Sequence, residues 1–588
     1  IFCLSRNSHT WMFVRAVAFV PVVSILSRMS FSFVLRAALL AWISIFAGCG
    51  TVHETKTTEE SPPSETPADL EQRADAHAHY LAGLSFEQNR EIESALAEYE
   101  KALIGDPANE DLAVELSRRY LQRKEYDKAI EVLKKAAEVP EASGLMFARL
   151  SLIYLQQGKT NAAVEASRTA IKRQPSSIAG YQSLFHLHRA LGQTNEARKA
   201  VEQAAKQPKP DAPFLIDLAH LYLALDAESL ALTNSPTRTR AREMLKRAAS
   251  MESTNIVALQ RLAQGFMFVG ETKRAADVYL KMLQEDPDLM GVRESLAELY
   301  LRDNDSKRAA EQLKEIIRDS PTNPQAYFFL GAIAYEERRF ADALDNYRKA
   351  LLLGMDTQQI YFDIAVTQLA LQKPRDALDY LEKARRKFRR SFLGEFYSGL
   401  CYMRLKEYTN ALDHFTAAEL VAKTTETNRL NHMFYFELGS AHERAGKIPE
   451  AEKYFEQCLS MSNSFAPALN YLGYMWAERG TNLTRARTMI EHAVKLDPTN
   501  AAYLDSLGWV LFKQGHTKEA LDPIRKAVEL NDEPDATLFD HLGDVYSALK
   551  QPEKAREAWR KSLQIEPNRE VEKKLKQPDP PPGARTSQ

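Results

Sequence analysis

The chain has 588 residues, of which 77 are Lys or Arg and 79 are Asp or Glu, so its formal net charge is −2. A charge this close to zero creates no general attraction to nucleic acid, and no nucleic-acid partner is expected. Four cysteines in a chain of this length exclude a scaffold held by disulfides. Apolar residues make up 45% of the chain, which is ample for a continuous hydrophobic core.

The N-terminal residues have the composition of a leader and a linker. Because the chain does not begin with methionine, we interpret residues 1–28 as an upstream extension and Met29 as the start. Residues 29–48 carry one arginine and then an apolar stretch too short to span a bilayer, which is typical of a cleaved signal peptide. Residues 49–75 are polar and rich in Pro and Thr, and this composition predicts a disordered tether.

The end of the apolar stretch carries a processing motif. Residues 46–49 (FAGC) resemble a bacterial lipobox, in which small residues precede a cysteine. The resemblance implies that the Cys49 thiol receives diacylglycerol and that cleavage makes Cys49 the new N-terminus. By the same resemblance, Gly50 in place of Asp favours the outer membrane. The alternative is an uncleaved signal anchor in which Cys49 has no role.

From residue 76 onward one pattern recurs with a period near 34 residues. Each copy has an apolar stripe containing a small residue such as Gly508, a break such as Gly515, and a second stripe opened by an alanine such as Ala520. Nine of the thirteen steps between successive opening alanines are 34 residues long. These alanines are Ala95, Ala129, Ala163, Ala197, Ala241, Ala275, Ala309, Ala343, Ala377, Ala411, Ala451, Ala486, Ala520 and Ala555.

This period and pattern resemble the tetratricopeptide repeat (TPR) family over residues 76–568. The resemblance implies an all-α fold, a right-handed superhelical solenoid of about 14 helix–turn–helix repeats. Two longer steps predict polar loops, at 226–239 within the fifth repeat and at 422–429 between the tenth and eleventh. Residues 569–588 predict a short capping segment and a disordered tail.

The sequence contains no catalytic constellation. Gly158-Lys159-Thr160 lacks the preceding glycine of a phosphate-binding loop, and His442-Glu443 lacks the second histidine of a zinc-protease helix. The repeats also leave no further domain that could hold an active site. We therefore expect a protein that is not an enzyme and that has no cofactor or metal site.

A candidate binding surface follows from the family resemblance. In TPR proteins the concave groove is lined by positions 2, 5, 9 and 12 of the first helices, and here these positions carry aromatic and other large apolar residues. Such a groove fits a peptide or a helix of a partner protein. Each of these residues could instead belong to the core between repeats. The predicted groove residues are Phe328, Tyr335, Phe362, Phe396, Met403, Phe436, Tyr474, Trp509 and Phe512.

The resulting hypothesis is a lipid-anchored, periplasm-facing TPR scaffold that binds partner proteins in the cell envelope. It rests on the lipobox and on a resemblance of residues 470–480, 503–515 and 540–546 to envelope TPR proteins. One alternative is direct binding of polysaccharide or peptidoglycan, with the groove aromatics stacking on sugars. The other is a cytoplasmic scaffold, which requires the lipobox resemblance to be false.

Overall fold

The structure is a computed structural model that describes residues 67–576, except for 226–234 and the single residues 252, 254 and 532. Within these residues it contains 29 α-helices, one short 3₁₀ helix and no strand. Cys49, the leader, the first part of the tether, most of the 226–239 insert and the tail from 577 onward lie outside the described residues. The predictions made for them stay predictions.

The described residues fall into two compact units, 67–316 and 317–576. The first unit holds seven helix pairs, and its last helix extends three residues beyond the boundary. Its helices are α1 Pro67–Gln88, α2 Ile92–Gly105, α3 Glu110–Gln122, α4 Tyr126–Ala137, α5 Gly144–Gln156, α6 Thr160–Arg173, α7 Ala179–Ala190, α8 Thr194–Ala204, α9 Ala212–Leu225, α10 Pro236–Ala249, α11 Ile256–Phe268, α12 Thr272–Glu285, α13 Met290–Arg302 and α14 Ser306–Asp319.

The second unit holds seven further pairs and a short terminal helix. Its helices are α15 Pro324–Glu336, α16 Phe340–Leu352, α17 Gln358–Ala370, α18 Pro374–Lys387, α19 Phe392–Leu405, α20 Tyr408–Thr425, α21 His432–Arg444, α22 Ile448–Met461, α23 Ala466–Arg479, α24 Leu483–Leu496, α25 Ala501–Lys513, α26 Thr517–Leu530, α27 Ala536–Ala548, α28 Pro552–Ile565 and α29 Arg569–Lys576. The predicted all-α fold of repeated helix pairs is confirmed.

The marker residues of the repeat explain how the two helices of a pair approach each other. Thirteen of the fourteen opening alanines have no exposed surface, and Ala555 is 1% exposed. At Gly508 in α25, an added Cβ would lie 2.9 Å from the backbone oxygen of Ala520 in α26. A side chain at position 508 would therefore push the two helices apart, which is why this position is small.

A left-handed residue lies in the turn between the two helices of most pairs. In the α25–α26 turn it is Gly515, with φ of 83°. Glycine takes this conformation without steric cost, whereas other residues pay about 1 kcal/mol or more. Gln372 and Lys406 nevertheless adopt it at the same place in their own pairs, with φ of 59° and 62°.

Three boundaries differ from the sequence expectations. Helix α1 begins at Pro67, so residues 67–75 are helical and do not belong to the predicted tether. The predicted loop at 422–429 is wrong for its first half, because α20 continues to Thr425 before the 3₁₀ turn Thr427–Arg429. In the 226–239 insert, α10 already begins at Pro236. None of the described helices is both long enough and apolar enough to cross a lipid bilayer.

Candidate binding groove

The first helices of the second unit share one register. They are α15, α17, α19, α21, α23, α25 and α27, and positions are counted here from the first residue of each. Position 5 of one first helix contacts position 6 of the first helix in the next pair. For example, the ring centroids of Phe362 in α17 and Tyr397 in α19 lie 6.1 Å apart. Asp505 and His541 repeat this contact at 2.9 Å. Positions 5, 6, 9, 12 and 13 lie on one side of a helix. We call this side of the seven helices the first-helix face.

Four of the nine predicted groove residues are buried. Phe362, Phe396, Phe436 and Trp509 are 4%, 3%, 6% and 6% exposed. Phe396 illustrates the reason, because its ring stacks on Phe392 with centroids 5.5 Å apart and planes inclined by 10°. These four residues belong to the core between repeats, which is the alternative that the sequence left open.

The other five predicted residues are half-buried on the first-helix face: Phe328, Tyr335, Met403, Tyr474 and Phe512. All five pack against the core of the second unit or against its aromatic residues. Part of the apolar surface of each of these five side chains is therefore exposed to solvent. Whether they contact a partner stays a prediction.

Three charged residues on the same face were missed by the sequence reasoning. They are Asp363 at position 6 of α17, Arg404 at position 13 of α19 and Glu437 at position 6 of α21, and all three are half-buried. None of them forms an ion pair with any other described residue. The only side-chain hydrogen bond among them is donated by Gln359 Nε2 to Asp363 Oδ1, at 2.9 Å.

Loss of solvent dominates the electrostatics of these three groups. Burial raises the pKa of Asp363 to about 7, with only the Gln359 hydrogen bond opposing it. Burial also raises the pKa of Glu437 to about 7, against the attraction of Arg404. Conversely, burial lowers the pKa of Arg404, against the attraction of Glu437. Charges taken out of water without a close partner are costly, and such groups concentrate at functional sites.

The register explains why these carboxylates lack a partner. In this register the residue at position 5 of the preceding first helix is Phe328 for Asp363 and Phe396 for Glu437. A phenylalanine supplies no cation and no hydrogen-bond donor to a carboxylate. A sequence signal could have identified these two carboxylates. It is a charged residue at position 6 of a first helix combined with an apolar residue at position 5 of the preceding first helix.

The last repeats use the same positions differently. His541 Nδ1 lies 2.9 Å from Asp505 Oδ2, and the two residues are 4% and 5% exposed. Burial alone would lower the pKa of His541, but the charge and hydrogen bond of Asp505 raise it above its usual value. Trp509 stacks on His541 with centroids 3.8 Å apart, and its indole N–H donates to Glu478 at 2.7 Å. These polar groups satisfy one another within the chain.

A cavity of about 250 Å³ lies beside α18, α19 and α20. The buried Glu395 carboxylate lines it and is held by Arg390 at 2.8 Å, Arg385 at 3.3 Å and His414 at 2.7 Å. Because this carboxylate already has three partners, we interpret the cluster as part of the repeat architecture. Among residues 67–576 as described, no group of three His, Cys, Asp or Glu is placed to hold a metal ion.

Comparisons with known families agree with this architecture. Models of the family described as tetratricopeptide repeat match residues 86–141, 146–177, 295–359, 362–426, 434–465 and 536–569. Over these segments the chain is similar to tetratricopeptide repeat proteins. The matched segments include α19 and most of α17 and α21, the helices that carry Asp363, Arg404 and Glu437.

Relatives share parts of the chain. A TPR repeat-containing protein of Pseudomonas aeruginosa is 27% identical over 221 residues, which are 37% of this chain and 36% of that protein. The type IV pilus assembly protein PilF of the same organism is 24% identical over 131 residues, 21% of this chain and 51% of PilF. The chain thus spans about a third to a half of the length of these two relatives. Among solved structures, the chain is similar to one in the crystal structure of the APC/C hetero-tetramer Cut9–Hcn1, with a TM-score of 0.38 and 17% sequence identity. The alignment covers 87% of this chain and 97% of the Cut9–Hcn1 chain.

Proposed function

We propose that this chain is a lipid-anchored scaffold of the bacterial cell envelope that binds a segment of a partner protein on its first-helix face. The observation that carries the binding role is the set of half-buried charges at Asp363, Arg404 and Glu437, none of which forms an ion pair with a described residue. Desolvated charges without a close partner destabilise a free protein, and groups of this kind cluster at functional sites. A bound segment that carries complementary charges or hydrogen-bonding groups would offset the free-energy cost of this desolvation.

The neighbouring half-buried residues suit a polypeptide ligand. Tyr335 and Met403, at position 12 of their helices, offer apolar and aromatic surface beside the charged groups. Interfaces that bind peptides combine such anchors with a few well-placed polar groups. Fourteen repeats without a catalytic constellation in the sequence also favour a scaffold over an enzyme.

The envelope location is supported by the sequence of the leader. The lipobox-like residues 46–49 end a short apolar stretch of the length expected for a cleaved signal. One relative is named a type IV pilus assembly protein, and a role in assembling a surface structure agrees with an envelope location.

Lipid anchoring is tested by the Cys49→Ala variant in cells fed a labelled fatty acid. We expect the parent chain to incorporate the label and to sediment with membranes, and the variant to lose both properties. A Cys49→Ala chain that still sediments with membranes would overturn the anchor. This result would leave the binding role of the first-helix face open to its own test.

The binding role is tested by site-specific photo-cross-linking in intact cells. A photoreactive residue replaces Met403 on the first-helix face or, as the control, Leu352 of the second helix α16, which is 85% exposed. We expect protein adducts from position 403 that are absent from position 352. Equal adducts from both positions, or adducts with glycan alone, would overturn the proposal, the latter in favour of polysaccharide binding.

A further inference from the structure

Asp363 lies among aromatic side chains contributed by three repeats. Phe328 precedes it in the register, at position 5 of α15, and Tyr397 follows in α19 with its ring 6.1 Å from that of Phe362. Burial is the main cause of the raised pKa of both Tyr347 and Tyr397, and the negative charge of Asp363 is the second. The carboxylate therefore influences the ionisation of both phenol groups.

Polar atoms at this site lack hydrogen-bond partners among the described residues. The hydroxyl of Tyr335 has no exposed surface and no hydrogen-bond partner among the described residues. Asp363 Oδ2 likewise receives no hydrogen bond from the described residues, since its single bond is made by Oδ1.

The missing component is a cation. No Lys, Arg or His of the described residues reaches Asp363 within ion-pair distance, and the nearby Glu336, whose charge also acts on Tyr335 and Tyr347, adds negative potential. Aromatic faces beside a carboxylate attract ammonium and guanidinium groups through the ring quadrupole as well as through the charge. A neutral or acidic side chain would leave the carboxylate unpaired.

We infer that the pocket formed by Asp363, Tyr335, Tyr347 and Tyr397 is a subsite for one lysine or arginine side chain of the partner segment. This inference rests on the proposed function, because it specifies what the first-helix face recognises. The ammonium or guanidinium group pairs with Asp363 Oδ2, and the Tyr335 hydroxyl accepts a hydrogen bond from it. The half-buried ring of Tyr335 contacts the aliphatic part of the same side chain.

The inference predicts a preference that a selection experiment can read. Random twelve-residue peptides displayed on phage are panned in parallel on the purified full chain, on Asp363→Asn and on Asp379→Asn. Asp379 is the matched control, an exposed carboxylate of α18 that pairs with Lys383 at 2.7 Å. We expect the parent and Asp379→Asn to select peptides with lysine or arginine at one fixed position, and Asp363→Asn to lose that preference.

A thermodynamic cycle then tests whether the two groups interact directly. A peptide selected on the parent is compared with the same peptide carrying norleucine at the basic position, by fluorescence anisotropy. We expect Asp363→Asn and the norleucine change each to weaken binding about tenfold or more, and the two together to weaken it no further. Thermal unfolding of Asp363→Asn should occur at or above the parental temperature, which separates loss of the subsite from loss of the fold.

The outcomes distinguish the inference from the proposed function. A selected consensus without a basic position, the same basic consensus on Asp363→Asn, or additive effects in the cycle would overturn the inference and leave peptide binding intact. Failure of the parent chain to select any peptide would overturn both.

Discussion

The second unit contains two stretches that share a fold and differ in how they fill the same positions. In the four repeats from α15 to α22, position 5 is always phenylalanine, whereas in the three repeats from α23 to α28 it is Asn470, Asp505 or Asp540. We call these the aromatic stretch and the polar stretch. Because position 5 contacts position 6 of the next repeat, this one position decides whether a charged residue at position 6 finds a partner.

The difference between the stretches separates a structural polar network from a candidate site. In the polar stretch His541 lies at position 6 and meets Asp505, so both charges are buried and paired. In the aromatic stretch Asp363 and Glu437 lie at position 6 and follow a phenylalanine in the register. Both are half-buried and neither forms an ion pair with a described residue, although Arg404 attracts Glu437. Removing a charge should therefore have opposite effects on stability in the two stretches.

The largest expected effect is in the polar stretch. His541→Ala leaves the Asp505 carboxylate buried without its cation and removes the ring stacked on Trp509. Breaking a buried pair by removing one partner costs about 3–5 kcal/mol. Hydrogen exchange followed by mass spectrometry should show loss of protection in α25 and α27. Protection in these helices within about 1 kcal/mol of the parent would contradict the assignment of this pair as structural.

A smaller loss is expected from filling the close contact at Gly508. In Gly508→Ala the new methyl group approaches the backbone oxygen of Ala520 at 2.9 Å, and overpacking of this kind costs about 1–3 kcal/mol. In the aromatic stretch, Gly331→Ala meets the ring of Tyr347 at 2.8 Å, and a side-chain ring can shift where a backbone cannot. Urea unfolding should therefore rank Gly508→Ala as the more destabilised variant. The reverse ranking would contradict this account of the close contact.

The fold was predictable because its determinants repeat. Gly508 and Ala520 have counterparts every 34 or so residues, so that even weak local preferences add up to an unambiguous period. The extension of α20 was harder to recognise because TTETNR has the polar composition of a loop. Its helical signal is in the buried residues Phe415, Ala418 and Ala422, which continue the apolar stripe.

The candidate site was predictable only in part. Counting positions 2, 5, 9 and 12 found Tyr335 and Met403 on the first-helix face, but it also selected Phe396, which packs between repeats. Asp363 was missed because a charged residue on a helix is ordinarily solvated. Its isolation follows from a contact with the preceding repeat, and that contact is visible only once the register between first helices is known.

The two unpaired carboxylates should impose a pH dependence on stability that their neutral analogues lack. A raised pKa in the folded state means that protonation of these carboxyl groups favours folding. The free-energy penalty of burying their negative charges is therefore absent below about pH 4. It grows as the pH rises to their folded-state pKa near 7 and is complete above that pH. We expect the double variant Asp363→Asn/Glu437→Gln to match the parent near pH 4.5 and to exceed it by about 1–2 kcal/mol at pH 8.

Comparing the variant with the parent is essential for this measurement. Half-buried histidines such as His186 and His220 have lowered pKa values, chiefly through loss of solvent. They therefore change parental stability in the opposite direction over the same pH range. The control is Asp379→Asn, whose carboxylate is exposed and paired. A stability difference between the double variant and the parent that is independent of pH would show that the two carboxylates are not desolvated in the folded protein.

The smallest expected effect concerns the turns, where the two stretches again differ. The aromatic stretch places Gln372 in the left-handed conformation with φ of 59°, whereas the polar stretch places Gly515 there with φ of 83°. Gln372→Gly should stabilise the protein by about 0.5–1 kcal/mol, because relief of the backbone strain outweighs the extra freedom of glycine in the unfolded chain. Gly515→Ala should destabilise it by about 1 kcal/mol for the converse reason. Since neither side chain belongs to the first-helix face, peptide affinity should be the same in both variants, and an altered affinity would mean that the turns help to position the face.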